Sequence, residues 1–145
     1  MQQTIMIGGG AIWVIAKPEG MRKRLRLGSY ACPVELRNGA IVHAETGLPV
    51  PRSAFVPTDL TGSDAAMEIR SAPGGTLYLR LTVGNGLTLG AVPGAIDIVV
   101  SPADAAAISW SKAVFGLVVR GADGINRRVL QGDLSVDAGI VQVLP

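Results

Sequence analysis

Along most of this chain apolar and polar side chains alternate with a period of two, as in strands that turn one face to a core. Leu25 and Leu27 point one way while Arg24 and Arg26 point the other, and Val34 and Leu36 alternate with Glu35 and Arg37. Met67 and Ile69 alternate with Glu68 and Arg70, and Leu77, Leu79 and Leu81 with Tyr78, Arg80 and Thr82. Ile96, Ile98 and Val100 repeat around Asp97 and Val99. Phe115, Leu117 and Val119 sit opposite Val114, Gly116 and Val118, a run apolar on both faces that predicts a strand in the middle of a sheet. Leu130, Leu134 and Val136 alternate with Gln131, Asp133 and Ser135, and a last strand is expected over Ile140–Leu144. The result is roughly eight short strands with turn signals between them, the pattern of a β-sandwich. Asp123-Gly124 marks a hairpin between two of the best strands, and Asn85-Gly86 carries a weaker signal of the same kind.

One segment departs from the alternation. Ser101-Pro102-Ala103-Asp104-Ala105-Ala106-Ala107-Ile108 opens with a capping serine, a proline at the first helical position and an acid at the third. The alanines favour a helix of one or two turns. Trp110 follows, and its ring is expected to plug one end of the sandwich.

Two stretches lack the pattern. Residues 1–23 read as an N-terminal arm, with a Gly8-Gly9-Gly10 hinge, the apolar run Ala11–Ala16 and the break Lys17-Pro18-Glu19-Gly20. An apolar strand outside a domain needs an edge or groove to pair with, so Ile12, Trp13, Val14 and Ile15 are expected to add to the sheet of a neighbouring chain. The sandwich is then expected over residues 24–145, interrupted by a Pro-rich loop at 38–57 inside an irregular stretch that reaches residue 62. Three prolines, Pro49, Pro51 and Pro57, exclude a central strand there.

Composition adds one point. The 145-residue chain is 48% hydrophobic and only 17% charged, against about 25% charged in an average globular protein. Part of its apolar surface is therefore expected to be covered by other chains, including copies of itself. No apolar run approaches the roughly 18 residues of a membrane span. The basic residues follow the apolar run instead of preceding it, the reverse of a secretory leader, so the chain is expected to stay in the cytoplasm until assembly. Net charge is only +2, but Arg22, Lys23, Arg24 and Arg26 cluster. That cluster suits an acidic surface on a neighbouring subunit. Nucleic acid is the weaker match, because stacking platforms would be needed for single strands and only Trp13 and Tyr30 lie nearby.

The order of elements resembles a known family. Asp59-Leu60-Thr61-Gly62-Ser63-Asp64-Ala65-Ala66-Met67-Glu68-Ile69-Arg70 is similar to a stretch of tailed-bacteriophage structural domains like the N-terminal domain of baseplate upper proteins. Further similar stretches follow in order: Gly94–Ser101, Trp110, Phe115–Val119 with Asp123-Gly124, and Arg128–Val136. Arg26-Leu27-Gly28-Ser29 and Pro33–Arg37 resemble the family's first strands. The likeness spans about residues 24–145, and the arm and the Pro-rich loop depart from it. It implies an immunoglobulin-like β-sandwich acting as an attachment module in a virion, with other phage structural proteins as partners and no catalytic residues to carry over.

Catalytic chemistry finds little foothold. With one His and one Cys, a nucleophile–base pair has only His43 with Cys32, Ser29 or Ser53 to draw on. His43 is expected in solvent and Cys32 packed and inert. Asp133 and Asp137 are expected on outward faces, not converging as an acid–base pair. Gly8-Gly9-Gly10 lacks the Lys-Ser/Thr of a phosphate loop, and Gly84-Asn85-Gly86 lacks the spacing of a dinucleotide turn. The expectation is therefore a virion structural protein of the tail, baseplate or tail-fibre apparatus, with no cofactor, no metal and no enzymatic role. A capsid decoration or head-fibre anchor is the alternative, and a carbohydrate-binding sandwich module is the rival of another class.

Overall fold

Alternating side chains become strands because one face of each can be buried, and the observed burial follows the alternation closely. The computed structural model describes residues 3–6, 12–30 and 32–138, so the Gly8-Gly9-Gly10 hinge and the strand expected over Ile140–Leu144 lie outside the described residues. In chain order the strands are β1 (Gln3–Met6), β2 (Ile12–Ala16), β3 (Met21–Tyr30), β4 (Val34–Arg37), β5 (Ala40–His43) and β6 (Phe55–Pro57). They continue with β7 (Asp64–Arg70), β8 (Leu77–Val83), β9 (Gly86–Leu89), β10 (Ala95–Val100), β11 (Lys112–Arg120) and β12 (Asn126–Asp137). A 3-10 turn spans Arg52–Ala54, and one helix, α1, spans Pro102–Ala106.

The main sheet runs in the order β1-β3-β10-β9-β8-β7-β11-β12-β2, with β6 also pairing β3. It curls until its ends meet. Ala16 and Gly20 exchange backbone hydrogen bonds of 3.2 and 2.7 Å around the turn Lys17-Pro18-Glu19, so β2 returns to the start of β3. Gly20 has φ +90°, and a Cβ there would collide with the Val100 carbonyl of β10. Folded over in this way the sheet is an all-β sandwich. Leu25, Leu27, Leu87, Ile96 and Ile98 from one side meet Met67, Ile69, Phe115, Leu117 and Leu134 from the other in one apolar core. Among the described residues no polar or charged residue is buried.

β11 is an interior strand, as its doubly apolar pattern predicts, paired to β7 on one side and β12 on the other. Asp123-Gly124 turns the chain between β11 and β12, with Gly124 at φ +80°. Asn85-Gly86 behaves differently. The chain does not reverse into an antiparallel hairpin there, because β8 and β9 pair in parallel over Thr82–Gly86 and Val83–Leu87. Gly84 and Gly86, at φ +87° and +98°, let the chain loop back within so short a span. The capped helix is present: Ser101 Oγ accepts from the Asp104 N–H at 3.1 Å, and Pro102 opens α1. Trp110 packs at the core margin, stacked on Tyr78 with ring centroids 5.1 Å apart.

Residues 3–6 and 12–16, expected in an arm, lie within the sheet. β2 lies parallel to β12, from Ile12 opposite Asp133 to Ala16 opposite Asp137, and β3 begins at Met21, ahead of the boundary expected at residue 23. Trp13 and Ile15 are buried, and Trp13 stacks on Phe115 of β11 at 4.7 Å. The alternation in β2 is hidden in the sequence because its outward positions, Ile12 and Val14, are apolar too. Its partner strand comes from the far end of the chain, which no local pattern reveals. The Pro-rich stretch is also more ordered than a loop, since it contains β5 and β6. β6 adds beside β3 with only three partner pairs and ends at Pro57, consistent with the exclusion of a central strand.

Candidate docking surfaces

Two surfaces carry the groups that the sequence singles out, and two more emerge from the fold. The first is the outward side of β2. Ile12 is 78% exposed and Val14 half exposed, while Trp13 and Ile15 point into the core. The four residues expected to form one interface are thus divided between surface and interior, two and two. Trp13 and Tyr30 are both buried, so neither is free to stack on a sugar ring or a base.

The second is the basic row on β3. Arg22, Lys23 and Arg24 are exposed, and Arg26 is half-buried. The row is only partly open to a partner. Arg24 Nη2 donates to Asp97 Oδ2 at 2.9 Å, across the register position where β3 faces β10. This hydrogen bond holds the Asp97 carboxyl below its ordinary range. Arg26 donates to the Pro93 carbonyl at 3.0 Å and lies over the Phe55 ring. Lys23 shares the inner-face parity of Leu25 but sits at the rim, with its ammonium 5.9 Å from the centre of the Trp13 ring. Arg22, Arg24 and Arg26 share the outer face.

The third surface is the outer face of β7, β8, β11 and β12. It forms a shallow groove of ≈ 1500 Å³. Small and aliphatic residues make its floor: Ala66 from β7, with Val114, Gly116 and Val118 from β11. Arg70, Arg80, Arg120 and Arg128 stand around it with Asp64, Glu68 and Asp133, four cations against three carboxylates. Glu68 accepts from Arg70 at 2.8 Å and from Arg80 at 2.6 Å. The Arg70 hydrogen bond is the main reason that the Glu68 carboxyl lies below its usual range. Arg120 pairs with Asp64 at 3.3 Å, and Arg128 donates to Gln131 at 3.2 Å.

The fourth is the β4–β5 hairpin, a two-stranded sheet separate from the main one. It turns at Asn38-Gly39, whose φ values of 50° and 79° fit a two-residue type I′ turn. Asn-Gly between alternating apolar residues signals such a turn, and here it was masked by the prolines that follow. Cross-strand pairing puts Val34, Leu36, Ile41 and His43 on one face. Val34 is buried at the base, whereas Leu36 is 69% exposed near the tip. Leu48, which accepts the His43 N–H through its carbonyl, is 62% exposed.

Cys32 and His43 both fall at the base of this hairpin, each half-buried. Asp133 is exposed on the groove rim, and Asp137 is exposed at the end of β12. Among the described residues no three His, Cys, Asp or Glu side chains gather as a metal-binding group. No helix of the described residues is long and apolar enough to cross a membrane.

No protein-family profile matches the chain. No curated protein matches it either. Among solved structures it is similar to CopC from Methylosinus trichosporium OB3b, with 14% identity and a TM-score of 0.40 over 94% of this chain and 95% of that one. A likeness that loose carries no inference about activity.

Proposed function

We propose that this chain is a structural subunit of a tailed bacteriophage particle, an attachment or adaptor element of the tail, baseplate or tail-fibre apparatus. It works through contacts with other structural proteins and with copies of itself, and its place is the virion, assembled in the bacterial cytoplasm. The observation that carries the reading is the apolar surface left on a rigid sandwich. Ile12, Val14, Leu36 and Leu48 are all solvent-exposed on this small domain, and Ile12 also lines a groove with an aliphatic floor. Apolar groups exposed to this extent call for a protein partner. The family resemblance supplies the kind of particle, and its motifs fall on β7, β10, β11 and β12.

The mechanism is geometric. The curled sheet is a stiff body, and the hairpin, the groove and the basic row present different chemistry in different directions. Copy number per particle tests the assignment. A low number matching tail symmetry places the chain in the tail apparatus, and a number near that of the major capsid protein makes it a head decoration instead.

A further inference from the structure

We propose that Asn38, at the tip of the β4–β5 hairpin, is a site of spontaneous deamidation in the folded chain, whereas Asn85, also followed by glycine, is protected. Water is the only co-reactant. The backbone nitrogen of the following residue loses its proton to solvent and attacks the carbonyl carbon of the asparagine side chain. A carbon–nitrogen bond forms there, the bond to the side-chain nitrogen breaks, and ammonia leaves with a proton taken from water. A water molecule then opens the cyclic imide at either carbonyl, giving aspartate or isoaspartate with no change of oxidation state. Such a reaction needs a following residue without a side chain, an untied amide nitrogen and a peptide free to rotate.

The chain has three asparagines, Asn38, Asn85 and Asn126, and only the first two precede glycine. Asn38 and Gly39 are both exposed. Among the described residues the Gly39 N–H donates to no protein acceptor, and a Cβ placed on Gly39 would meet no atom within 4 Å. The hairpin is a sheet of its own, and Arg37 opposite Ala40 is its last pair before the turn. Rotating the Asn38–Gly39 peptide therefore disturbs only the tip.

Asn85-Gly86 is locked by comparison. The Asn85 N–H donates to the Thr82 carbonyl at 2.8 Å, and the Asn85 carbonyl accepts from the Thr82 N–H at 3.0 Å. Gly86 opens β9, and a Cβ on it would lie 2.6 Å from Leu81 Cδ2 and 3.0 Å from the Val99 carbonyl oxygen. Leu81 and Leu87 beside it are buried. Turning the Gly86 nitrogen toward the Asn85 side chain means parting β9 from β8, a local unfolding. At Asn38 the product adds a carboxylate where Glu35 and Arg37 already pair with each other. Isoaspartate also lengthens the main chain by one carbon, which a two-residue type I′ turn does not accommodate, so the tip opens.

The purified full chain is held in mildly alkaline buffer, one portion folded and one unfolded in guanidinium chloride. Samples are quenched and digested in acid, and mass spectrometry follows the peptides that carry each asparagine. In the unfolded portion Asn38 and Asn85 should react at similar rates, and Asn126 more slowly. In the folded portion Asn38 should stay within about threefold of its unfolded rate, while Asn85 slows about tenfold or more. A folded chain in which Asn38 slows as much as Asn85, or in which both keep their unfolded rates, overturns the proposal. No particle or partner takes part, so neither result bears on the virion assignment.

Discussion

Glu68 stands between two guanidinium groups on the outer face of β7, accepting from Arg70 and Arg80. Its carboxyl is held below the ordinary value, first by the Arg70 hydrogen bond, with burial acting in the opposite direction. A carboxylate with a depressed folded-state pKa stabilises the fold at pH values above its unfolded value of about 4.3. That contribution is lost as the pH falls through the folded value. The group is about a third exposed, so its share is small, about 0–1 kcal/mol after solvent screening. Glu68→Gln should therefore lower the melting temperature at pH 6, with the gap to wild type closing by pH 3. Thermal melts at both values check this, and a gap that widens in acid contradicts it. Asp97 beside Arg24 follows the same sign at the other basic surface.

At the scale of elements, β2 is the most instructive strand. Its inward residues Trp13 and Ile15 fill the core, while Ile12 and Val14 remain outside. Ile15→Ala should cost about 2–5 kcal/mol, the range for emptying a packed aliphatic site. Ile12→Ala on the same strand should stay within about 0.5 kcal/mol. Urea midpoints decide, and equal losses at the two positions would show that β2 is not seated as described. The other elements differ in how plainly the sequence announces them. β3, β7, β10 and β12 were legible because their outward residues are mostly charged, polar or small, β11 because its apolar run ends at the Asp123-Gly124 turn signal, and the helix because its cap and proline are local signals. β2 was legible as a strand but not as part of the sandwich, since apolar residues on both faces erase the alternation and its partner is β12. β5 and β6 were obscured by Pro49, Pro51 and Pro57, although the Asn38-Gly39 turn was there to be read.

For the molecule as a whole, the curled sheet unites both ends of the described chain in one layer through β2 and β12. Removing residues 1–20 would strip Trp13 and Ile15 from the core, so the sandwich and β2 stand or fall together. Of the candidate surfaces, the basic row on β3 was legible because charge is a property of residues. The groove was not, because its floor joins one outward position of β7 to three of β11, strands distant in sequence, and two of the four, Ala66 and Gly116, are small. The outward side of β2, the β4–β5 hairpin and the groove floor share exposed apolar area, and on that the proposed subunit role rests. Quantitative mass spectrometry of virus particles purified from cells that carry the gene for this chain tests the proposed virion role most directly. The account predicts the chain in the particles at a fixed copy number relative to the major capsid protein; its absence from them would contradict the account.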